Sequence, residues 1–278
     1  MRQHTLQSPC TFSGKGLHSG SPVTMRVFPA PAGTGVVFCR TDLGPDAVLP
    51  ARLAYVDKTR RSTSLSNGGV KVVTTEHLLS ACYGLGLDNL RVELDAAEVP
   101  ILDGSAATFA EAFLSCGLVE QEAERDCLVV EKPFLYEDDR SDSWLRFEPA
   151  DAPSFSVTID FHSEVVGVQQ AVFDAQTDYA REIAPCRTFC FFHEIEFLLK
   201  LGLIKGGSLD NALVVDEPKG YLGGKTPFFE NELARHKLLD LLGDFALVGR
   251  PILGRVTAYK PGHKVNTQAL KHLLDTTL

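Results

Sequence analysis

Short runs in which apolar and polar residues alternate dominate the first part of the chain, and glycine and proline turns separate them. Residues 23–28 (VTMRVF) alternate with a period of two, which predicts a half-buried strand. Residues 70–73 (VKVV) and 89–94 (NLRVEL) predict two further strands. A turn at residues 103–105 leads into a predicted helix over 106–114.

A helix is also predicted between two of these strands, over residues 76–81 (EHLLSA). Either Thr74 or Thr75 is suited to its N-cap, because threonine side chains accept hydrogen bonds from the first free backbone amides of a helix. Either Gly84 or Gly86 is suited to end it, because glycine readily adopts the left-handed conformation of a C-terminal cap.

The polar residues 120–126 (EQEAERD) mark a seam in the chain, and apolar periodicity resumes after them. The pattern then predicts strands over 127–130, 156–161, 212–215 and 255–259, and helices over 192–201, 230–247 and 267–274.

Each half of the chain therefore has strands followed by a helix with an internal histidine. The two histidine segments, 76–79 (EHLL) and 236–239 (HKLL), are similar to each other. Together these features predict an α+β protein of two domains of similar topology, 1–124 and 125–278, each a β-sheet with helices. The domains are expected to meet helix to helix.

Composition narrows the class of protein. Of 278 residues, 44% are apolar and 23% charged, which is typical of a globular protein with a substantial core. No apolar run approaches the roughly 18 residues of a membrane span, which excludes an integral membrane protein. The first residues lack the apolar region of a secretory signal, so a cytoplasmic location is expected. A net charge of −9 argues against a nucleic-acid partner.

The cysteines are consistent with the expected cytoplasmic location. The chain has seven cysteines, an odd number, and no CxxC pair among them. Neither a disulfide framework nor a thiolate zinc site is indicated, so reduced thiols used as small apolar side chains are expected.

The strongest local signal for chemistry is the segment 235–240 (RHKLLD) in the long predicted helix. His236 and Asp240 are four residues apart, so they lie about 40° apart on one helix face, and Asp244 continues the stripe. An imidazole and a carboxylate so placed can chelate one divalent cation, and this ligand pair suits zinc. Taken by itself, the motif is weak, and an ordinary surface pair is the commoner reason for this spacing.

The second candidate is the pair Glu76 and His77. Adjacent helix residues diverge by about 100°, so His77 can bind a metal while Glu76 flanks it. A carboxylate beside a metal site is suitably placed to act as a general base. The alternative is a capped helix start with a partly buried histidine.

The third candidate is His263, which is expected in a flexible loop after the strand at 255–259. A histidine there can serve as a general acid or as an oxyanion partner, and Asp244 could orient it. An exposed loop histidine is the alternative.

Together, His77, His236 and Asp240 predict an open metal site with water in the fourth position. Three protein ligands and one open position are the arrangement found in hydrolytic zinc sites.

The chain closely resembles the zinc-dependent UDP-3-O-acyl-N-acetylglucosamine deacetylases, which catalyse the committed step of lipid A synthesis in Gram-negative bacteria. The resemblance runs essentially from end to end. It is carried by a series of ordered motifs: 14–20 (GKGLHSG), 75–78 (TEHL), 88–89 (DN), 103–106 (DGSA), 187–189 (RTF), 206–208 (GGS), 235–240 (RHKLLD) and 262–263 (GH).

This resemblance implies a fold and a metal. The two α+β domains would pack as a β-α-α-β sandwich with the helices as the inner layers. One catalytic Zn²⁺ would be held by His77, His236 and Asp240. Iron is the alternative metal, because it can share such ligands.

The resemblance also implies catalytic roles. Glu76 would take a proton from the water that attacks the acetamide carbonyl. Thr188 would hydrogen-bond the developing oxyanion. His263, oriented by Asp244, would stabilise that charge or protonate the leaving amine.

Substrate-binding residues follow from the same motifs. Lys237 matches a lysine near the diphosphate, and Phe189 matches an aromatic residue near the glucosamine ring. Asp160 and Phe161 match a pair at the uridine end, although Phe161 could simply belong to the core.

His18 and Gly207 lie in matching motifs and are the other substrate-binding candidates. Residues 187–216 correspond to a βαβ insert of the family that holds the 3-O-acyl chain. Five apolar residues could line its passage, although their spacing equally describes ordinary core packing: Phe191, Ile195, Leu198, Leu199 and Leu203.

Two positions depart from the family pattern. Ser64 stands where several members have a cysteine close to the metal, so no thiol-directed inactivation is expected at this position. Ser143 stands where a lysine is often found, so one positive contact to the nucleotide is expected to be missing.

Three other functions are alternatives to this one. The same metal site could act on another N-acetyl sugar, which loss of the acyl passage would favour. A metal-stabilised scaffold would not need Glu76, Thr188 and His263, and a nucleic-acid module is opposed by the charge. The expected partner is therefore the UDP-linked, acylated N-acetylglucosamine, and a monomer is expected because each half can bury its own core.

Overall fold

The first half of the chain alternates strands with helices. The computed structural model describes residues 1–277, and its first helices are α1 (Glu76–Leu85) and α2 (Ala107–Cys116). The strands of this half are β1 (Arg2–Leu6), β2 (Cys10–Lys15), β3 (Pro22–Pro29), β4 (Val36–Arg40), β5 (Val48–Pro50), β6 (Val56–Lys58), β7 (Ser64–Asn67), β8 (Val70–Val72), β9 (Leu90–Leu94) and β10 (Leu118–Glu124).

The second half repeats this alternation with longer helices. Its strands are β11 (Leu128–Val129), β12 (Phe134–Asp138), β13 (Ser143–Glu148), β14 (Ser154–Asp160), β15 (Val168–Phe173), β16 (Phe189–Phe191), β17 (Leu213–Asp216), β18 (Gly220–Tyr221), β19 (Ile252–Leu253) and β20 (Arg255–Tyr259). Its helices are α3 (Tyr179–Glu182), α4 (Phe192–Lys200), α5 (Glu232–Ala246) and α6 (His263–Thr277).

Each half has a main sheet of five strands, and the two sheets share one topology. The first has the order β2-β3-β9-β4-β5 and the second has the order β12-β13-β20-β14-β15. In both, the central strand comes last in sequence and runs parallel to one neighbour, β4 in the first sheet and β14 in the second. The other pairings within the two sheets are antiparallel. The prediction of two α+β domains of similar topology is confirmed.

The alternation predicted for residues 23–28 is confirmed in β3. Val23, Met25 and Val27 are buried, and they turn toward the core on one face of the sheet. Such one-sided burial fixes the register, because a shift by one residue would expose this whole set to water. The apolar residues of β9 lie buried in the neighbouring strand.

Helices form the inner layers between the sheets. Helix α1 packs along α5, and α5 also packs on β14, β15 and α6. On the other side, α2 contacts α1 and β2. This β-α-α-β arrangement brings the two histidine helices together at the centre of the molecule.

The close approach of α1 and α5 requires a glycine. Gly243 lies in the middle of α5, and a Cβ atom there would collide with the backbone carbonyl of Glu76. A glycine in a helix interior costs about 1 kcal/mol relative to alanine. Close contact between the helices is therefore the reason for its presence.

Two short assemblies complete the fold. Strands β16 and β17 pair in parallel around α4, and β18 extends this sheet. Strands β6, β7 and β8 form an antiparallel sheet that leads into α1. Across the described part of the chain, no helix has the length and apolar character needed to cross a membrane.

The structure differs from the sequence predictions at several places, of which three concern segments named above. The polar segment at 120–126 is largely the strand β10, which pairs with β1 in an exposed two-stranded ladder and therefore tolerates polar side chains on both faces. Thr75 occupies the N-cap of α1, but its hydroxyl donates to the carbonyl of Thr63 instead of capping the helix. Gly86 ends α1 with a φ of 71°.

The third difference concerns His263. The predicted loop position is wrong, because His263 is the first residue of α6, which begins four residues before the predicted start at 267. The first turn of α6 contains His263 and Asn266, and both are buried through hydrogen bonds to Asp244. Hydrophobic periodicity cannot detect a turn that is buried by polar contacts.

Candidate functional site

Three side chains that can hold a metal ion converge where α1 meets α5. His77, His236 and Asp240 each offer a ligand atom, and these atoms lie within 4.8 Å of one another. Oδ1 of Asp240 is 3.8 Å from Nε2 of His77 and 3.5 Å from Nε2 of His236. Tetrahedral zinc with bonds of about 2.0–2.1 Å places ligand atoms about 3.3 Å apart. Within residues 1–277 no other group of three such side chains meets this geometry.

The surroundings of the cluster fit a zinc ion. The carbonyl oxygen of Cys186 lies 3.0 Å from Nδ1 of His236, which leaves Nε2 facing the cluster. Burial, aided by the neighbouring His236, lowers the pKa of His77 to about 3. Burial likewise lowers the pKa of His236. Both imidazoles are therefore neutral, which is the form that binds metals.

The third ligand, Asp240, is ionised. Burial by itself raises the pKa of this carboxyl, but Lys237 and the histidines around it outweigh burial and hold the pKa well below its usual range. Nζ of Lys237 donates to Oδ2 of Asp240 at 2.6 Å. Two neutral imidazoles and one carboxylate thus form a donor set with the charge and softness that zinc prefers.

Glu76 lies beside the cluster and is almost completely buried. Its Oε2 accepts a hydrogen bond from the backbone N–H of Thr63 at 3.0 Å, and its Oε1 is 3.8 Å from Nε2 of His263. Burial raises its pKa to about 7, with Asp240 and Asp244 adding to the shift and His263 opposing it. A carboxylate with a pKa near neutrality is suited to general base chemistry.

His263 also lies beside the cluster, next to Glu76. Its Nδ1 is 2.9 Å from Oδ2 of Asp244, and its Nε2 is 4.0 Å from Oδ2 of Asp240. Burial lowers its pKa, but the carboxylates of Asp244, Asp240 and Glu76 outweigh burial and raise it to about 9. His263 is therefore an imidazolium at neutral pH and can donate a proton or stabilise negative charge.

Asp244 is held by more residues than the sequence indicated. Its Oδ1 accepts a hydrogen bond from the hydroxyl of Thr63 at 2.6 Å, and its Oδ2 accepts one from Nδ2 of Asn266 at 2.8 Å. Thr63 therefore contacts Glu76 through its amide and Asp244 through its hydroxyl. Neither Thr63 nor Asn266 was a candidate from the sequence, because neither carries a motif and the contacts join segments that are far apart.

The cluster opens into a cavity of about 560 Å³. Most sequence-predicted residues line it: Glu76, His77, Phe161, Thr188, Phe189, His236, Lys237, Asp240 and His263. Phe161 is 40% exposed and its ring lies 5.5 Å from that of Phe189, so it forms part of the cavity wall and not of the core. Thr188 is held through its backbone, which bonds to Gly104 and Leu213.

Four predicted residues lie outside this lining, one of them Asp244, which contacts the cavity only through His263. Asp160 is next to Phe161, and its carboxylate accepts the backbone N–H of His162 at 2.9 Å. His18 is buried, its Nδ1 accepts the N–H of Ile204 at 3.4 Å, and its Nε2 has no partner within the described residues. Gly207 lines a second, neighbouring cavity.

This neighbouring cavity is an apolar passage of about 220 Å³. It shares Leu17, Thr188 and Phe189 with the main cavity, so the two are continuous. Ile195 and Leu199 of α4 line it, as the resemblance to the family implied. The other three apolar candidates do not: Phe191, Leu198 and Leu203.

Positive side chains at the cavity were largely missed from the sequence. Lys237 was identified, but Arg140, Lys260 and Lys264 also line the cavity. Ser143, where the family often has lysine, donates its hydroxyl to the carbonyl of Lys260 at 2.9 Å. Lys260 comes three residues before His263 in the sequence. This short spacing is the signal from which its position at the cavity could have been predicted.

The other departure from the family, Ser64, is buried in the first position of β7. It follows Thr63 directly and therefore lies near Glu76, but it does not line the catalytic cavity. The seven cysteines are all free thiols.

These features define an α+β protein of two domains that has a metal-capable cluster at the junction of its central helices. A family model described as "LpxC: UDP-3-O-acyl N-acetylglycosamine deacetylase" matches residues 3–275. The chain is 45% identical over 273 residues to a Myxococcus xanthus protein named UDP-3-O-acyl-N-acetylglucosamine deacetylase, covering 98% of this chain and 86% of that protein. The chain belongs to this deacetylase family.

A second relative is longer than this chain. The chain is 38% identical over 299 aligned positions to a Chlorobaculum tepidum protein named "Bifunctional enzyme LpxC/FabZ". The match covers 98% of this chain but only 64% of that protein.

Proposed function

We propose that the protein is a zinc-dependent amidase that hydrolyses the N-acetyl group of UDP-3-O-acyl-N-acetylglucosamine. The products are UDP-3-O-acyl-glucosamine and acetate, in the committed step of lipid A synthesis. One observation carries the proposal: the buried cluster of His77, His236 and Asp240 is flanked by Glu76 and His263 in the main cavity. Membership of the deacetylase family supports the substrate class.

His77, His236 and Asp240 are the proposed zinc ligands. Zinc supplies Lewis acidity when bound, which brings the pKa of water from 15.7 toward about 7 and polarises a carbonyl. The carbonyl of Cys186 and the ammonium of Lys237 keep two of these ligands in orientation.

Glu76 accepts the proton of the attacking water at Oε1. Its other oxygen is occupied by the amide of Thr63, so one carboxylate oxygen remains free to face the cavity. Burial among carboxylates raises the pKa of Glu76 to about 7, which makes it a stronger base than an ordinary glutamate.

Thr188 and His263 act on the developing oxyanion and on the leaving amine of the reacting amide. The hydroxyl of Thr188 donates a hydrogen bond to the developing oxyanion. His263 is protonated at neutral pH and gives the proton at Nε2 to the leaving amine, while Asp244 holds its Nδ1.

The continuous cavities suit a substrate with an anionic and an apolar end. Lys237, Lys260 and Arg140 provide positive charge for a diphosphate, and Phe161 and Phe189 provide aromatic surfaces. The apolar passage past Ile195 and Leu199 suits the 3-O-acyl chain.

The domain boundary is proposed at 124/125, and the proposed form is a cytoplasmic monomer.

The test is release of free amine from UDP-3-O-acyl-N-acetylglucosamine by the purified protein. The rate is measured as isolated, after chelation, and after zinc is restored. We expect activity that disappears on chelation and returns with zinc. UDP-N-acetylglucosamine, which lacks the acyl chain, is the matched substrate control, and its turnover is expected to be much slower.

Two outcomes would contradict the proposal. Full activity after complete metal removal would exclude the metal role. Equal turnover of the acylated and unacylated sugars would favour an enzyme acting on another N-acetyl sugar.

A further inference from the structure

A second cavity lies at the other ends of the two central helices. The catalytic cavity is lined by the first residues of α1, Glu76 and His77. The second is lined by Cys82 and Tyr83 near the end of α1, and by Ala246, the last residue of α5. Cys82 comes six positions after Glu76, which corresponds to about 9 Å along the helix axis. Within the described part of the chain, no residue lines both cavities.

We call this second cavity, together with the space that adjoins it at Arg52, Arg125 and Arg250, the junction cavity. Its outer part is polar and positively charged. It has a volume of about 330 Å³, and its lining includes Arg52, Arg125 and Arg250. The guanidinium of Arg52 has neither a hydrogen-bond acceptor nor an ion-pair partner among residues 1–277, although its side chain is only partly exposed. A guanidinium has five N–H donors in a fixed fork, the geometry that matches a carboxylate or phosphate.

The other two arginines leave an excess of positive charge. Arg125 donates through Nε to Asp88 at 2.7 Å, and the second oxygen of Asp88 accepts the backbone N–H of His4. Arg250 donates to Asp126, whose side chain is 75% exposed. Three guanidinium groups therefore face two carboxylates, one of them in solvent, and donors remain free on each arginine.

The inner part of the junction cavity is apolar. It has a volume of about 200 Å³ and is lined by side chains from both halves of the chain: Val36, Leu87, Phe155, Phe173 and Ile252. Arg52, Arg125 and Arg250 line this inner part as well as the outer one, so the two parts adjoin at these three side chains. The arginines thus form a charged rim over an apolar recess.

Helix ends explain part of this arrangement. Added Cβ atoms at Gly86, which ends α1, and at Gly249, which follows α5, would meet the guanidinium groups of Arg125 and Arg52 respectively. Positive charge is favourable at helix C-termini because of the helix dipole. However, Arg52 makes no hydrogen bond to a helix carbonyl in the described chain. Its N–H donors are therefore not used to cap the C-terminus of a helix.

We propose that the junction cavity binds an anionic amphiphile, with its carboxylate or phosphate held by Arg52, Arg125 and Arg250 and a short apolar chain in the recess. The proposal rests on the shape and charge of this cavity and not on the proposed chemistry of the catalytic site. Charge alone would suit any small anion. The apolar recess beneath the arginines is what selects an attached chain.

The test uses the full, zinc-loaded chain and the side-chain Nε–H resonances of its arginines in NMR titrations. Octanoate and octyl phosphate are the probes. Octanamide has the chain without the charge, while acetate and inorganic phosphate have the charge without the chain. We expect both charged amphiphiles to shift the resonances of Arg52, Arg125 and Arg250 and to bind at least about tenfold more tightly than the three comparison compounds. The two head groups also distinguish a fatty acid from a phosphorylated lipid.

A variant pair makes the test specific. Arg52→Gln is expected to weaken octanoate binding by about tenfold or more, the loss of one charge-assisted contact. Arg91→Gln is the matched control, because Arg91 is an exposed arginine of β9 that lines neither the catalytic nor the junction cavity. The wild-type titration stands by itself should Arg52→Gln fail to fold.

Three results would overturn the proposal. The first is the absence of shifts at the three arginines at millimolar octanoate. The second is equal affinity for octanoate and acetate, which would reduce the site to a simple anion contact. The third is binding whose shifts are confined to the catalytic cavity and its apolar passage.

Discussion

Helices α1 and α5 face each other at the site, but they contribute to it in different ways. Helix α1 offers its first two residues, Glu76 and His77, whose side chains diverge by about 100° around the helix. Helix α5 offers His236, Asp240 and Asp244, each four residues after the last, on one stripe. In the proposed mechanism the adjacent pair separates a base from a ligand, whereas the stripe stacks two ligands and a positioning residue.

The two arrangements depend on the rest of the chain to different degrees. The stripe on α5 exists in any helix with this sequence. The pair on α1 is useful only because Thr63 holds Glu76 and because Gly243 allows α1 to approach α5. Damage to α5 is therefore expected to remove the metal, and damage around α1 is expected to misplace the base.

The largest effects should separate the ligand of α5 from the base of α1. His236→Ala is expected to lose zinc and with it all measurable activity. Glu76→Gln is expected to retain zinc and to lose about 10²–10⁴-fold in kcat with little change in KM, because a general base acts in the transition state. The measurements are metal content and steady-state kinetics. Full zinc retention with normal activity in His236→Ala would refute the ligand assignment.

The next prediction concerns the contact between the helices. Gly243→Ala removes a poor helix former and would stabilise an isolated helix by about 1 kcal/mol. In this protein we expect the opposite sign, a loss of about 1–3 kcal/mol in the free energy of unfolding, because the new methyl group meets the backbone of Glu76. Denaturant unfolding measures the change.

Gly262→Ala is the matched control for this substitution. A Cβ at Gly262 meets nothing within 4 Å, so its stability is expected to stay close to that of the wild type. A stabilised Gly243→Ala variant would show that α1 and α5 do not need their close approach.

A smaller effect should follow from loosening Thr63. Thr63→Val keeps the backbone N–H that holds Glu76 but removes the hydroxyl that donates to Asp244. We expect kcat to fall by about ten- to a hundredfold with KM and zinc content unchanged, because the His263–Asp244 pair loses its orientation. Thr63→Ser retains the hydroxyl and should recover most of the rate. Equal rates in the two variants would exclude the hydroxyl as a positioning group.

The smallest effect concerns the reactivity of side chains near the site toward thiol reagents. The two halves of the chain differ here as well. The first half has Ser64, and the second half has Cys190 in the apolar passage. Burial raises the pKa of Cys190 to about 11, with Glu194 adding to the shift and Arg61 opposing it. Since the thiolate is the reactive form, alkylation should be slow at neutral pH and accelerate as the pH rises toward 11.

Mass spectrometry of iodoacetamide-treated protein locates the modification, and Cys190→Ser provides the control. Rapid labelling of Cys190 at neutral pH would contradict the prediction. No labelling or inactivation is expected at position 64, where the side chain is a hydroxyl.

Several parts of the fold were predictable because their signals are local. The period of two in β3 follows from one buried face, and the stripe of α5 follows from helix geometry. Strands β12, β13 and β15 were not predicted. In β15, for example, Gln169 is buried whereas Val168 and Val172 are exposed, so hydrophobicity does not follow burial there. Pairing with neighbouring strands identifies these three segments.

The site was predictable to a similar extent. Residue types and spacings indicated His77, His236 and Asp240, and the structure brings these three together. The roles of Thr63 and Asn266 could not be predicted, because each depends on one hydrogen bond to a residue that is distant in sequence or on a facing helix. The helical position of His263 was missed for the same reason.

The amino-acid sequence by itself determined the alternation of strands and helices, the stripe of His236, Asp240 and Asp244 on α5 and the adjacent pair Glu76 and His77 on α1, because all three depend on residues within a few positions of one another. Tertiary structure decided the rest. The packing of α1 on α5 joined two half-sites into one cluster and buried its side chains. That burial sets the pKa values of Glu76 and His77, since the cost of keeping a charge away from water depends on what surrounds it in space.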